Sequence, residues 1–263
     1  MLETEDLAAF ADRLCTASAE AILPHFRTDL SVGNKEQGGF DPVTIADRAG
    51  ETAIRELIEA DYPHHGILGE EHGNVRLDAE HVWVLDPIDG TRAFICGLPT
   101  WGTLIGLNRH GEPVFGVMDQ PYVGERFYGD RRSAWLSRGG SRRELKMRGC
   151  ASLSDAIICT THPGLFQGAE RDVYLEIERT VRTARYGTDC YGYCMLASGQ
   201  VDLVIETGLQ PYDIVALAPI IEGAGGVVTN WNGGSPAKGG QILATGDRRL
   251  HDKVLAMLAG AAV

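Results

Sequence analysis

The sequence predicts an α+β half over residues 1–148 followed by an α/β half over residues 149–263, with helices and sheets packed in layers. Three observations predict it. Apolar residues recur at helical spacing through the first 60 residues. Short runs of β-branched and aromatic residues, broken by Gly-rich turns, then follow to about residue 137, the pattern of an antiparallel meander. Beyond a join near residue 148, strand-like and helix-like segments alternate. With 263 residues, 44% of them hydrophobic, the chain can bury one large core or two that share an interface, and we expect one compact unit.

In order, Leu7, Phe10, Leu14, Ala17 and Ala21 give a first amphipathic helix ending near Pro24. Residues 27–40 are polar and carry Gly33, Gly38 and Gly39, which suits a loop or irregular hairpin. Residues 35–41 within it are expected to be mobile and to close over bound substrate. Asp41-Pro42-Val43-Thr44 should open a second helix that reaches about Ala60, buries Ile54, Leu57 and Ile58, and carries Asp47 in its first turn. Gly66-Ile67-Leu68 leads as a strand into Gly69-Glu70-Glu71, and Val82-Trp83-Val84-Leu85 leads into Asp86. Residues 101–108, 113–120, 125–128 and 134–137 form the meander. The second half offers strands at 156–161, 201–206, 227–230 and 242–245, and helices at 171–182, 191–197, 214–222 and 248–258.

A net charge of -12 argues against nucleic acid or an anionic membrane surface as partner, because both need clustered Lys and Arg. An acidic protein still binds an anionic substrate when bound cations reverse the local field. The acidic start and the absence of any apolar run near the roughly 20 residues of a membrane span point to the cytoplasm. The six cysteines have no paired metal-binding spacing and read as reduced thiols, with Cys190 and Cys194 on one helix face. His64, His65, His72 and His81 read as surface loop residues. The pairs Arg131-Arg132 and Arg142-Arg143 read as solvated turns, with a homodimer contact their other use.

The chemistry concentrates in Asp86-Pro87-Ile88-Asp89-Gly90-Thr91. Two carboxylates three residues apart at a strand end, with Pro fixing the bend and Gly permitting close approach, can converge on hard cations. The competing reading is an ordinary Asp- and Gly-rich turn. Glu70 and Glu71 after a separate strand, Asp213 at a helix start and Asp47 at another each have a bland alternative as solvated face or helix cap. Together they supply carboxylate oxygens from several segments, which a divalent ion requires.

These residues resemble the inositol monophosphatase-like family of metal-dependent phosphatases. The matches are Lys35, Asp41 to Thr44 with Asp47, Gly69-Glu70-Glu71, Asp86 to Thr91 with Phe94, Gly187-Thr188, Glu206, and Tyr212-Asp213 with Ala216. The resemblance implies a layered α-β-α-β-α sandwich of the inositol monophosphatase/fructose-bisphosphatase type. It also implies a site between the two halves and hydrolysis of a small phosphate ester by a metal-activated water. One Mg2+ would be held by Glu70, Asp86 and the Ile88 carbonyl, a second by Asp86, Asp89 and Asp213, and a third, weaker ion by Glu70. Thr91, helped by Asp47, would orient the attacking water, and the amides of Gly90 and Thr91 would receive the phosphate. The chain departs from the family's usual pattern at Tyr212, where Trp is common, and at Arg92-Ala93 after Thr91.

Trp101-Gly102-Thr103 and the run from Gly187 and Thr188 through Asp189 to Tyr193 are most similar to the histidinol-phosphate phosphatase branch. Histidinol phosphate carries an ammonium and an imidazole, and Asp189 with Glu206 would meet them by charge-assisted hydrogen bonds. Asp189 as a helix cap is the competing reading. Trp101 and Tyr191 read first as core aromatics, with ring-stacking walls for the substrate as the competing reading. Inositol phosphate, or another small monoester, is the alternative substrate, and a non-catalytic metal-binding homologue is the alternative class.

Overall fold

Leu7, Phe10, Ala11, Leu14, Ser18 and Ile22 fall on one face of α1 (Thr4–Ile22), and that face docks the helix on the first sheet. The computed structural model describes residues 4–29, 31–34 and 42–263. β1 (Gly33–Asn34) pairs antiparallel with β2 (Pro42–Val43). Residues 35–41, with Lys35 and the closing loop expected there, lie outside the described residues. α2 (Ile45–Asp61) starts later than expected, because Pro42 and Val43 are used in the strand pairing and Thr44 is the N-cap. Its Oγ1 accepts from the Ala46 amide at 3.1 Å, while the Asp47 carboxylate accepts from the Thr44 amide at 2.8 Å, a reciprocal cap.

The first sheet takes β3 (Gly66–Gly69), β4 (His81–Asp89), β5 (Gly102–Arg109), β6 (Glu112–Gln120), β7 (Glu125–Gly129), β8 (Ala134–Arg138) and β9 (Ser141–Glu144), with α3 (Thr91–Ile95) between β4 and β5. Its seven strands lie side by side in chain order, parallel only between β3 and β4. The second part runs β10 (Ile157–Thr160), α4 (Gly168–Thr180), β11 (Thr183–Tyr186), α5 (Asp189–Ala197), β12 (Leu203–Leu209), α6 (Pro211–Ile214), α7 (Leu217–Gly223), β13 (Val227–Asn230), β14 (Gly240–Thr245) and α8 (Arg248–Leu258). Its five strands are ordered β11-β10-β12-β14-β13, with β10 parallel to both neighbours and β14 antiparallel to its own.

The layers are α-β-α-β-α. α1 and α2 cover one face of the first sheet in a core that includes Phe10, Ile54, Trp83 and Phe115. α5 and α7 fill the middle, where Leu104, Met118 and Phe127 of the first sheet meet Val204, Ile242 and Ala244 of the second. α4 and α8 cover the far face, packing Tyr174, Ile177, Leu250 and Val254 on Ile158, Leu203 and Leu243.

A row of paired glycines sets the middle layer. Gly106 lies opposite Gly116, and Gly116 opposite Gly129, across β5, β6 and β7. A Cβ on Gly116 would fall 1.9 Å from the Ala216 carbonyl oxygen, and one on Gly129 2.4 Å from the Ile220 Cα. The sheet is therefore bare where the backbone from Val215 to Ile220 presses on it.

Several expectations need correction. Arg142 and Arg143 lie on the exposed edge strand β9, not in a turn. β11 is a strand that the polar sequence hid, and the expected helix at 214–222 is two pieces. His81 belongs to β4, and its ring stacks on His65 at 5.0 Å. His65 also stacks on Tyr62 at 4.7 Å and accepts from the Trp83 indole at 3.1 Å. Burial, with His81 second, lowers the His65 pKa to about 4.

Candidate active site

β4 carries one more residue than β5 between two pairing points: Asp86 faces Leu104, and Asp89 faces Gly102. In a regular strand residues three apart point to opposite faces, and the extra residue turns both carboxylates to one side. The Asp86 Oδ1 accepts from the Ile88 amide at 3.0 Å, which tightens the turn. Gly90 then takes φ +84°, a left-handed value that glycine tolerates, and delivers the chain into α3.

Asp213 arrives from the other half. Its Oδ2 accepts from the Gln210 amide at 2.7 Å, which fixes the carboxylate at the start of α6. One carboxylate oxygen from each of Asp86, Asp89 and Asp213 lies within 4.8 Å of the others. Glu70 joins them from the end of β3, its amide bonded to the Leu85 carbonyl at 3.2 Å. These residues form the floor of a cleft of about 450 Å³, also lined by Ile88, Gly90, Thr91, Arg92, Thr161, Leu165, Asp189, Glu206 and Tyr212.

The electrostatics fit a cation site. Burial first, then the charges of Glu70, Asp89 and Asp213, pushes the Asp86 pKa well up. Burial first, then Asp189 and Asp213, does the same to Asp89. Such a cluster is stable as carboxylates only with positive charge among them, and an all-oxygen donor set suits hard divalent ions such as Mg2+.

Asp47 and Thr91 stand together at the edge of the cluster. One Asp47 oxygen accepts from the Thr44 amide and, at 2.6 Å, from its hydroxyl, leaving the other facing Thr91 Oγ1 at 3.4 Å. Thr91 Oγ1 also lies 3.1 Å from the Ile88 carbonyl. Burial raises the Asp47 pKa against the pull of the Thr44 hydrogen bonds.

Glu206, at 1% exposure, forms the inner wall. It accepts from Thr161 twice, amide at 2.7 Å and hydroxyl at 3.1 Å, and from the Thr160 hydroxyl at 3.2 Å, yet burial lifts its pKa to about 8. Burial lifts Asp189 to about 6, opposed by a hydrogen bond from Thr161 and the charge of Arg92. Asp189 is the first residue of α5, with φ +42°, and Thr188 occupies the cap position. The amide of Cys190 binds Asp89 Oδ2 at 2.6 Å, tying α5 to the carboxylate cluster.

Glu70, Asp86, Ile88, Asp89, Gly90, Thr91, Asp189, Glu206 and Asp213 thus share one cleft, with Asp47 behind Thr91. Gly187 and Thr188 do not line it. Gly187 is exposed, and the buried Thr188 hydroxyl packs toward Gly192 and Cys159. Trp101 is fully buried against Phe26 and Phe94, and Tyr191 packs on Phe127, so both are core aromatics. Thr161 and Leu165 also line the cleft with no sequence signal to announce them, and Arg92 is marked in the sequence only as a departure from the family's usual pattern.

The inositol monophosphatase family model matches residues 3–261. The chain is 41% identical to the chloroplastic bifunctional phosphatase IMPL2 of Arabidopsis thaliana, over 97% of this chain and 76% of that protein. It is 35% identical to a histidinol-phosphatase of Mycobacterium tuberculosis, over 88% of each. Among solved structures, an inositol monophosphatase from Zymomonas mobilis superposes with a TM-score of 0.87 at 39% identity, over 98% of this chain and 99% of that one. With the family model spanning nearly every residue and the carboxylate cluster assembled from both halves, this chain belongs to the inositol monophosphatase family.

Proposed function

We propose that this chain is a Mg2+-dependent phosphatase that hydrolyses L-histidinol phosphate to L-histidinol and phosphate, a step of histidine biosynthesis. The family is one of metal-dependent phosphatases acting on small phosphate esters. The observation that carries the finer reading is the placement of two further acids, Asp189 and Glu206, on the wall of the cleft above Asp86, Asp89 and Asp213. A phosphate needs the metal floor, and a cationic alcohol needs an acidic wall.

Glu70, Asp86, Asp89, Asp213 and the Ile88 carbonyl would hold about two to three Mg2+ ions. When bound, these ions supply Lewis acidity that lowers the pKa of water, neutralises phosphoryl oxygens and stabilises the leaving alkoxide. Thr91 has one hydroxyl proton. Donated to Asp47, it leaves the Thr91 lone pairs facing the cleft, where they accept from a water and aim its oxygen at phosphorus. The new bond is water oxygen to phosphorus, the bond broken is phosphorus to ester oxygen, and the alcohol departs with a proton. The Gly90 and Thr91 amides are assigned to the phosphoryl oxygens. Burial lifts the Glu206 pKa to about 8, and an approaching ammonium or imidazolium would favour its carboxylate form.

A second reading has one observation in its favour. The Arg92 charge acts on Asp189, which leaves less net charge on the wall and suits a neutral polyol such as inositol phosphate. A homodimer in the cytoplasm belongs to the proposal, and no helix among the described residues is long and apolar enough to cross a membrane.

Phosphate release from histidinol phosphate, inositol phosphate and glycerol phosphate by wild type and Asp189→Asn tests the substrate. Asn tolerates the positive φ of this position, so the change removes charge without straining the backbone. We expect kcat/KM for histidinol phosphate to fall roughly ten- to a hundredfold, the scale of a charge-assisted contact, with glycerol phosphate barely affected. A wild type that prefers inositol phosphate, or a mutant that slows both esters alike, would sink the histidinol assignment and leave the phosphatase standing.

A further inference from the structure

Asp47 and Glu51 lie four apart on α2, share one face, and are both at 0% exposure. Asp47 has a place beside Thr91. Glu51 reaches neither the cleft nor the cluster, and its environment shows what it holds instead. Its Oε2 accepts from the Glu71 amide at 2.7 Å. Its Oε1 accepts from the His72 amide at 3.3 Å and from Arg55 Nε at 2.6 Å. Arg55 continues to the His72 carbonyl at 3.4 Å, and the His72 ring meets Thr52 Oγ1 at 3.1 Å.

The other side of this turn is fixed as well. The Glu70 amide bonds to the Leu85 carbonyl, one residue before Asp86, at 3.2 Å. At Gly69 a Cβ would lie 2.1 Å from Glu51 Oε1, so the glycine is what lets the carboxylate reach under the turn. A buried carboxylate is costly unless donors surround it, and here two consecutive backbone amides and a guanidinium do. Those amides follow Glu70 directly, beyond the last paired residue of β3.

We infer that Glu51 is the positioning residue for Glu70, a buried acid on α2 that fixes the 69–72 turn and thereby aims Glu70 at Asp86. The inference rests on the metal-dependent reading above. α2 thus serves the site twice along one face, through Asp47 at Thr91 and through Glu51 at Glu70. Arg55 completes the device by neutralising Glu51, so the turn is held without adding negative charge beside the metal cluster.

The test is Mg2+ binding by calorimetry to the full chain carrying Glu51→Gln, Glu70→Gln, or both. Gln keeps the volume of Glu but offers one acceptor oxygen and an NH2 in place of two acceptors, so it cannot serve both amides and Arg55. The thermal midpoint of each variant checks that it is folded. We expect Glu51→Gln to weaken Mg2+ binding about tenfold, the scale for a group that orients a metal ligand. In the Glu70→Gln background the same change should do nothing further, because the residue it orients is already gone. Hydrogen exchange at the Glu71 and His72 amides should quicken in Glu51→Gln without any metal. A folded Glu51→Gln that binds Mg2+ as wild type does, or losses that multiply in the double variant, would overturn the inference while the metal site stands. Wild-type protein that binds no Mg2+ would overturn the reading beneath it.

Discussion

Asp86 has three acidic neighbours acting on it: Glu70, Asp89 and Asp213 all raise its pKa on top of burial. A side chain held at such cost in the free protein is expected to be repaid on metal binding, and to be the hardest to replace. Asp86→Asn should therefore lower kcat/KM by more than the roughly 10–100-fold seen when a group one step behind a metal ligand is changed. It should also raise the melting midpoint of the metal-free protein by about 2–4 °C, because one repulsive charge is removed. Phosphate release and a thermal scan in chelator check the two effects, and a variant that is both active and no more stable would contradict the role given to Asp86. At this scale the sequence was informative where ligands are contiguous. Asp86, Asp89, Gly90 and Thr91 fall within six consecutive positions, and the bulge that gathers them is local. It was silent where a residue works through a distant backbone. Glu51 binds amides 20 and 21 positions away, and Thr161 serves a carboxylate 45 positions away, with no spacing to announce either.

Elements were legible in proportion to their burial pattern. α1 and α8 show helical periodicity because one face is buried, and the antiparallel strands β5 to β8 are set apart by turns. β9 is exposed at all four residues, and β11 is a polar edge strand, so neither carries an apolar alternation to read. Gly106, Gly116 and Gly129 come from three different strands, and only the register places them side by side. This row leads to a prediction about the α6–α7 segment, which carries Asp213. Gly116→Ala drives a methyl against the Ala216 backbone, which cannot rotate away as a side chain would. We expect a loss of about 3 kcal/mol, the upper end of ordinary overpacking, in denaturant unfolding. Mg2+ binding should weaken too, since Asp213 moves with the helix. A change within about 0.5 kcal/mol, typical of an unconstrained surface position, would mean that the glycine row does not set this contact.

The whole molecule joins two sheets through a shared helical layer, and the candidate site lies where the first sheet's acids meet Asp213, Asp189 and Glu206 from the second part. A net charge of -12 with a cleft lined by further carboxylates is a poor receptor for a phosphate ester unless cations are present. That makes metal dependence the central claim, with substrate identity resting on it. The most direct measurement is phosphate release from histidinol phosphate and inositol phosphate by the full chain, first in excess chelator and then with Mg2+ restored. The account predicts no release in chelator and recovery with Mg2+ on at least one ester. Undiminished release in chelator would contradict it.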